Sequence, residues 1–306
     1  MTRPDFPKRL AWALCTLDTP AGPLACVETA SGLYPLGKVL GTTGLANIDL
    51  FEDWAENARR ISTAISSMSA ADAVADAPRL APLMFPGKVL CAGANYFRHL
   101  EEMGVKGATK ANQRLFFFFK PPRNAVVGEG ATVHMPLDTR AFDWEIELAA
   151  VIGKRARAVS VERALEHVAG YTVAVDFSAR DLNQAPDTFY KLDWVAGKAQ
   201  ESCCPTGPRF VPAAAFADPQ AIGLRLAVNG VTKQDDTTAD MIFPIAEQIA
   251  ILSRIMALDP GDMLLTGTPA GVGAPKKTFL SDGDVVASEI DGIGRLEVTV
   301  QPSRTS

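Results

Sequence analysis

The chain has 306 residues, enough for one large domain with a smaller one beside it and for a core that needs no disulfide. Its 30 basic residues are scattered and its 35 acidic residues give a net charge of -5, so we expect no nucleic-acid partner. No apolar run persists for the roughly 20 positions of a membrane helix, and we expect no membrane partner.

The first 82 residues predict a small N-terminal α/β domain. Short strands and turns lead into a helix near residues 53–65, and a linker rich in small residues follows at 67–78. Pro82 and Pro86 then mark a boundary, so residues 83–306 form a second, larger domain in this prediction.

Strands dominate the larger domain. After Ser160, the apolar residues Val161, Leu165 and Val168 recur at helical spacing and predict a short helix. A second helix is predicted over residues 245–256, and the Gly-Asp turns beyond it indicate antiparallel strands. The expected fold class is therefore α+β and rich in strands.

The cysteines do not form a disulfide or metal motif. Their number is odd, and the close pair lacks the two-residue gap of zinc and redox motifs. They are Cys15, Cys26, Cys91, Cys203 and Cys204. We expect reduced thiols in a cytoplasmic protein.

Two glutamates one residue apart, Glu145 and Glu147, lie in a predicted strand. Alternate side chains share a face, so both carboxylates lie together with that of Asp143. The apolar run 148–152 indicates that both faces of this strand are covered. Desolvated carboxylates need a positive partner, which is usually a divalent cation. The alternative is that the first half of the strand projects into solvent.

Asp176 lies at the end of an apolar strand and is a third candidate for a metal-binding carboxylate. An acid at this place often forms a turn or a cap, and that alternative stays open. Together with Glu145 and Glu147 it would supply three hard oxygen ligands. Such a set suits Mg²⁺ or Mn²⁺ better than zinc, which prefers nitrogen or sulfur donors.

His99 and Glu102 are three residues apart on a predicted helical turn, so their side chains can hydrogen-bond. A carboxylate beside an imidazole orients it and raises its basicity, as the activation of water requires. The alternative is an exposed polar turn. For His134 and His167 we expect a structural or solvent-facing role.

Lys198 and Thr268 lie next to glycines, which allow close approach to a ligand. Lys198 could instead be solvated, and the glycine-rich segment 267–273 could be a structural hairpin. That segment lacks the ending of a phosphate-binding loop, and the chain has no dinucleotide fingerprint.

Taken together and in chain order, segments of this sequence resemble the fumarylacetoacetate hydrolase family. The resemblance covers about residues 88 to 300. The segments that carry it are Asn95-Tyr96 with His99, 143–148, 151–153, 168–172, 176–181, Lys198, 205–208, 228–230, 258–262 and 267–273.

The resemblance implies a catalytic domain built as a mixed β-roll or β-sandwich, usually dimeric, with Mg²⁺ or Mn²⁺ bound by the positions matching Glu145, Glu147 and Asp176. The position matching Lys198 contacts substrate or the developing enolate, and Arg180 and Thr268 match residues that shape the ligand site. His99 and Glu102 match a dyad on a mobile segment that closes over the substrate.

The chain departs from the family pattern at three places. Val175 stands where asparagine is common, and Asn183 stands where glutamine is often found, so support of the metal and recognition of the substrate's polar end are expected to differ. The phenylalanine run 116–119 could widen an apolar wall.

The predicted reaction is hydrolytic cleavage of a carbon-carbon bond in a small 1,3-dicarbonyl acid of the acylpyruvate or fumarylpyruvate type, from aromatic or sugar-acid breakdown. His99 and Glu102 would activate water, and Lys198 would stabilise the enolate. The alternatives are decarboxylation or isomerisation at the same metal-enolate site, and a ligand-binding protein without activity. The expected partners are a keto-acid substrate and a second copy of the chain.

Overall fold

The computed structural model describes residues 10–303, so the first nine residues of the predicted N-terminal domain lie outside the described part. No helix within residues 10–303 is long and apolar enough to cross a membrane.

Strands are the main elements of the described chain. They are β1 (Ala13–Thr19), β2 (Gly22–Glu28), β3 (Leu33–Pro35), β4 (Arg79–Leu80), β5 (Val89–Gly93), β6 (Phe116–Lys120), β7 (Val126–Val127), β8 (Thr132–Met135), β9 (Phe142–Asp143), β10 (Ile146–Ile152), β11 (Val168–Val175), β12 (Ser178–Ala179), β13 (Cys204–Pro212), β14 (Gly223–Val228), β15 (Val231–Thr237), β16 (Met263–Leu265), β17 (Val285–Ile290) and β18 (Gly294–Pro302).

The α-helices are shorter, and only two of those described exceed six residues. They are α1 (Leu36–Leu40), α2 (Trp54–Ala64), α3 (Phe97–Glu102), α4 (Pro122–Ala125), α5 (Val161–Ala164), α6 (Arg180–Asn183), α7 (Trp194–Lys198) and α8 (Ile245–Ile255).

Two sheets organise the molecule. The larger has the strand order β3-β2-β1-β13-β11-β10-β16-β5-β6, with β4 beside β1 and β7 beside β13. Most of its pairs are antiparallel, but β16 pairs with β5 in parallel. The second sheet has the order β15-β14-β17-β18-β8, and a small β9–β12 pair lies apart from both. The predicted strand-rich fold of mixed strands is confirmed.

Two of the predicted helices form as expected. The helix predicted over 53–65 is α2, and the carboxylate of Asp53 caps it by accepting from the Glu56 backbone N–H at 3.2 Å. The helix predicted over 245–256 is α8.

The helix predicted after Ser160 is shorter than its spacing indicated. It ends at Ala164, a 3₁₀ turn covers Leu165–His167, and Val168 already begins β11. Val168 pairs with Ile152 of β10. Its apolar side chain thus serves a strand, because sheet pairing overrides the local helical pattern.

One continuous hydrophobic core joins the N-terminal strands to the larger sheet. Leu14 of β1 pairs with Phe210 of β13. The Phe210 ring also contacts the rings of Phe51 and Trp54, with centroids 5.7 and 5.2 Å away. The division of the chain at residue 82 stays a prediction, and its two predicted parts share a sheet and a core.

Candidate metal centre and active site

Strand register brings the three predicted carboxylates together. Ile146 of β10 lies opposite Val175 of β11, so Glu145 and Glu147 flank the point where Asp176 leaves the sheet. The backbone N–H of Asp176 donates to the Glu145 carbonyl at 2.8 Å. Oxygens from the three side chains lie within 4.8 Å of one another.

The three acids are buried, at 5% exposed for Glu145, 1% for Glu147 and 0% for Asp176. The alternative in which this strand projects into solvent is therefore wrong. Enclosed hard oxygen donors are the ligands that Mg²⁺ and Mn²⁺ prefer, and the arrangement could hold such an ion.

Lys198 and Arg180 supply positive charge on one side of the acids. The Lys198 Nζ donates to Glu145 Oε2 at 3.0 Å and to Asp176 Oδ2 at 2.7 Å. Arg180 pairs with Glu145 and, through Nε at 3.0 Å, with Asp143. Burial opposes the charge of Lys198, but the two carboxylates beside it raise its pKa above the ordinary value.

Lys120 supplies a third cation from beneath the site. Its Nζ lies 2.7 Å from Asp176 Oδ1 and donates to the carbonyls of Phe177, Lys198 and Cys203 at 2.9, 2.8 and 3.1 Å. Two of the three acids, Glu145 and Asp176, are thus paired with cations before any metal binds, and one of these cations, Arg180, is shared with Asp143.

The glutamates differ in their electrostatic surroundings. Burial and the neighbouring charges of Asp176 and Glu145 raise the pKa of Glu147 well above its usual range. Burial also acts on Glu145, but the charges of Arg180 and Lys198 outweigh it and lower the pKa of that carboxyl. Glu147 is therefore the acid whose charge most lacks compensation, although it accepts from the Gly267 N–H at 2.6 Å.

Asp143, the weakest ligand candidate of the strand, lies outside this cluster. Its carboxylate accepts from the backbone N–H groups of Gly273 and Ala274 at 2.7 and 3.0 Å, besides the bond from Arg180. It therefore anchors the glycine-rich segment beside the site.

His99 and Glu102 form the expected pair on α3. His99 Nδ1 lies 2.8 Å from Glu102 Oε1, and Glu102 Oε2 accepts from the Gly271 N–H at 2.8 Å. His99 is buried, so the alternative of an exposed polar turn is wrong for it. Gly271 belongs to the same glycine-rich segment that Asp143 anchors, which ties the pair to the carboxylate site.

Thr268 is buried, and its hydroxyl is already engaged. It donates to the Ile146 carbonyl at 2.8 Å and accepts from Gln234 Nε2 at 2.8 Å. These bonds fix the glycine-rich segment against β10, so the side chain predicted to bind substrate also has a scaffolding role.

Asn183, the other predicted recognition residue, packs on the helix that carries Lys198. A β-carbon at Gly197 would lie 2.5 Å from the Asn183 β-carbon, so only glycine allows α6 and α7 to approach this closely. The side-chain Oδ1 of Asn183 is buried and has no hydrogen-bond partner within residues 10–303.

The predicted aromatic wall lies beside Lys198. The Phe118 ring stacks on Trp194 with centroids 5.1 Å apart, and Lys198 Nζ lies 4.9 Å from the centre of the Phe118 ring. A lysine over an aromatic face gains a cation–π interaction.

Two supporting residues were missed from the sequence. Lys120 ends an apolar strand, and a lysine at the end of a strand does not by itself indicate a role in a site. Gln234 is fully buried on β15 and accepts from the Ile146 N–H at 3.0 Å, but nothing around it in the sequence indicates a role. Both contacts join residues more than 50 positions apart.

Comparison with known proteins shows the family of the chain. The family model described as fumarylacetoacetate (FAA) hydrolase C-terminal matches residues 88–301. The mitochondrial oxaloacetate tautomerase of Xenopus laevis is 39% identical over 219 residues, which cover 71% of this chain and 66% of that relative, slightly less than two thirds of its length.

Two solved structures are also similar. Fumarylacetoacetate hydrolase from the psychrophile Exiguobacterium antarcticum has a TM-score of 0.75 at 30% identity, covering 96% of this chain and 100% of that one. Fumarylpyruvate hydrolase from Pseudomonas aeruginosa, in complex with Mn²⁺ and pyruvate, has a TM-score of 0.64 at 34% identity, covering 75% and 98%.

Proposed function

This chain belongs to the fumarylacetoacetate hydrolase family, and on that premise we propose that it is a divalent-metal-dependent enzyme that converts a small 2-oxo acid by way of its enolate. The observation that carries the proposal is the buried set of three carboxylates and three cations, with the His99–Glu102 pair tied to the same glycine-rich segment. The cytoplasmic location and the homodimer remain predictions.

The charges of the site suit an anionic substrate. Glu145, Glu147 and Asp176 would hold Mg²⁺ or Mn²⁺, which supplies Lewis-acid chemistry to the 2-oxo acid when bound. Lys198, Arg180 and Lys120 already offset the charges of Glu145 and Asp176, and Arg180 also pairs with Asp143, so a bound divalent cation leaves the site net positive. An anionic 2-oxo acid fits that excess, and Lys198 is the donor proposed to hold the developing enolate oxygen.

His99 is the proposed base. Glu102 accepts from Nδ1, which leaves Nε2 as the nitrogen that can take a proton. Both carboxylate oxygens of Glu102 are engaged, one by His99 and one by Gly271, so Glu102 orients the imidazole rather than acting as the base itself.

We favour keto–enol tautomerisation of a 2-oxo dicarboxylic acid of the oxaloacetate type. The reaction moves one proton between C3 and the oxygen on C2, and a single base beside a stabilised enolate is sufficient. His99 would remove a proton from C3 of the keto form and deliver it to the enolate oxygen, which gives the enol. In the opposite direction it would take the proton from the enol hydroxyl and deliver it to C3. The 39% identical relative named as an oxaloacetate tautomerase supports this choice.

Hydrolysis of an acylpyruvate or fumarylpyruvate is the second candidate, supported by the likeness to fumarylpyruvate hydrolase. In this hydrolysis, His99 would activate a water molecule that attacks the distal carbonyl. Cleavage of the carbon-carbon bond would then leave an enolate beside Lys198. Decarboxylation would pass through that enolate without water. A binding protein without activity would have no use for an oriented base.

The test is a panel of substrates assayed by ultraviolet absorbance with Mg²⁺ and with Mn²⁺. Accelerated interconversion of oxaloacetate enol and keto forms is expected, and loss of the 2,4-diketo chromophore would instead identify the hydrolase. Glu145→Ala should lower the rate at least about 100-fold, because it removes a ligand and unpairs two cations. Full turnover in this variant would refute the scheme.

A matched histidine pair tests the base. His99→Ala should lower kcat about 100-fold or more. His134→Ala is the control, because His134 contacts the Pro302 carbonyl at the end of β18. Equal rates for the two variants would exclude His99 as the base.

A further inference from the structure

The helix that carries the proposed base has no capping residue of its own. Tyr96 is the N-cap of α3, and among the described residues its side chain makes no capping hydrogen bond. The helix has only six residues, and helices of this length are not stable by themselves in water. Its geometry must therefore be imposed by contacts with the rest of the molecule.

A distant carboxylate supplies the missing cap. Asp240 Oδ2 accepts from the Arg98 backbone N–H at 2.9 Å, across 142 positions of sequence. Arg98 is the second helical residue, and its N–H is one of the two that an N-cap side chain normally satisfies. Asp240 makes this bond from the end of the 3₁₀ turn that follows β15.

The Arg98 side chain holds that carboxylate in place. Its Nε lies 3.4 Å from Asp240 Oδ1, and its Nη1 lies 3.1 Å from Asp236 Oδ1. The two acids are mostly buried, with side chains 12% and 3% exposed, and the guanidinium offsets their mutual repulsion.

Hydrogen bonds also anchor the chain just before α3 and at its last residue. Before it, the buried Asn95 side chain donates to the carbonyls of Phe243 and Thr266 at 3.1 and 2.9 Å. At its end, Glu102 accepts from Gly271. Between these anchors, the first turn receives its side-chain cap from Asp240, and His99 follows directly after Arg98.

We propose that Asp240 is a tertiary N-cap of α3 and thereby a positioning residue for His99. The catalytic consequence rests on the proposed function, in which His99 is the base. Loss of the cap frees the first turn of α3, so His99 occupies its working position for a smaller fraction of the time. The carboxylate cluster is untouched, and metal affinity stays as it was.

The experiment compares Asp240→Ala with Asp240→Asn. Alanine removes the acceptor, whereas asparagine is as good an N-cap as aspartate and retains an acceptor oxygen. The control is Asp235→Ala, an exposed acid on β15 that lies opposite Arg225. Amide hydrogen exchange, Mn²⁺ affinity and steady-state kinetics are measured for all three.

In Asp240→Ala, exchange of the amides of residues 98–102 should accelerate about tenfold and kcat should fall about tenfold. KM and the Mn²⁺ dissociation constant should stay within about twofold. Asp240→Asn should recover most of both losses, and it keeps the test decisive if the alanine variant is globally unstable. Asp235→Ala should behave as the unaltered protein.

Unchanged exchange in Asp240→Ala would overturn the cap, and so would an asparagine variant as impaired as the alanine variant. Exchange and Mn²⁺ binding need no substrate. The proposed cap can therefore be refuted even if the protein converts acids of the substrate panel. It can likewise be supported even if the protein converts none of them.

Discussion

At the scale of single residues, Lys120 shows how a buried cation supports the site. The lysine is buried below Asp176, and its Nζ also reaches the backbone of Lys198 and Cys203. Burial opposes the charge of this lysine, but Asp176 raises its pKa well above the ordinary value. One ammonium therefore compensates an acid of the site and fixes the segment that delivers the second lysine.

We predict that Lys120→Met destabilises the metal-free protein by about 3–5 kcal/mol, because it leaves the Asp176 carboxylate buried beside one cation fewer. Urea unfolding in the presence of a chelator measures the change. Lys276→Met, at an exposed position, is the control and should cost less than about 0.5 kcal/mol. Equal midpoints for the two variants would contradict the assigned role.

At the scale of elements, Glu28 joins three strands. It accepts from Arg79 of β4 at 2.8 and 3.1 Å and from Arg209 of β13 at 2.9 and 3.1 Å. The Arg209 Nη1 donates to the Ile293 carbonyl, which extends the link to the second sheet. Burial acts against the Glu28 charge, but the two guanidinium groups lower its pKa to about 2.

We predict that Glu28→Gln lowers the free energy of unfolding by about 3–5 kcal/mol at neutral pH, since two buried arginines lose their carboxylate. The folded pKa lies below the ordinary value of 4.5. The contribution is therefore complete above about pH 4.5 and is lost as the pH falls toward about 2.

Denaturant unfolding of both proteins between pH 7 and pH 3 should show the gap between them narrowing in acid. Glu56→Gln provides the control, because Glu56 pairs with Arg59 on the surface of α2. A gap of constant size across this range would mean that Glu28 is not the group whose charge stabilises the junction.

At the scale of the whole molecule, the N-terminal strands and the site-bearing strands are parts of one sheet. β13 pairs with β1 on one side and with β11 on the other, and β11 ends at Asp176. The hydrophobic core continues across the predicted boundary at residue 82. The N-terminal strand β1 thus lies two strands away from β11, at whose end Asp176 stands.

We predict one cooperative thermal transition for the full chain, with equal calorimetric and van't Hoff enthalpies per folding unit, because the shared sheet couples both parts. Differential scanning calorimetry provides the measurement. Two resolved transitions would show that residues up to 82 fold independently of the remainder.

The sequence by itself determined the strand-rich class, the two longer helices and the family. The cost of acids in apolar strands and the helical spacing of His99 and Glu102 made these residues candidates but left alternatives open. The family resemblance is what favoured Glu145, Glu147 and Asp176 as metal ligands and His99 with Glu102 as a dyad. These are local signals, carried by neighbouring residues or by a pattern shared with relatives.

Only the tertiary structure decided which cations compensate those acids and what holds the base helix. Lys120, Gln234 and Asp240 act across 34 to 142 positions, and each is chemically ordinary in its own segment. Strand register and sheet packing create such partnerships, and a single sequence contains no local signal for them. The same reason made Val168 a strand residue where its spacing indicated a helix.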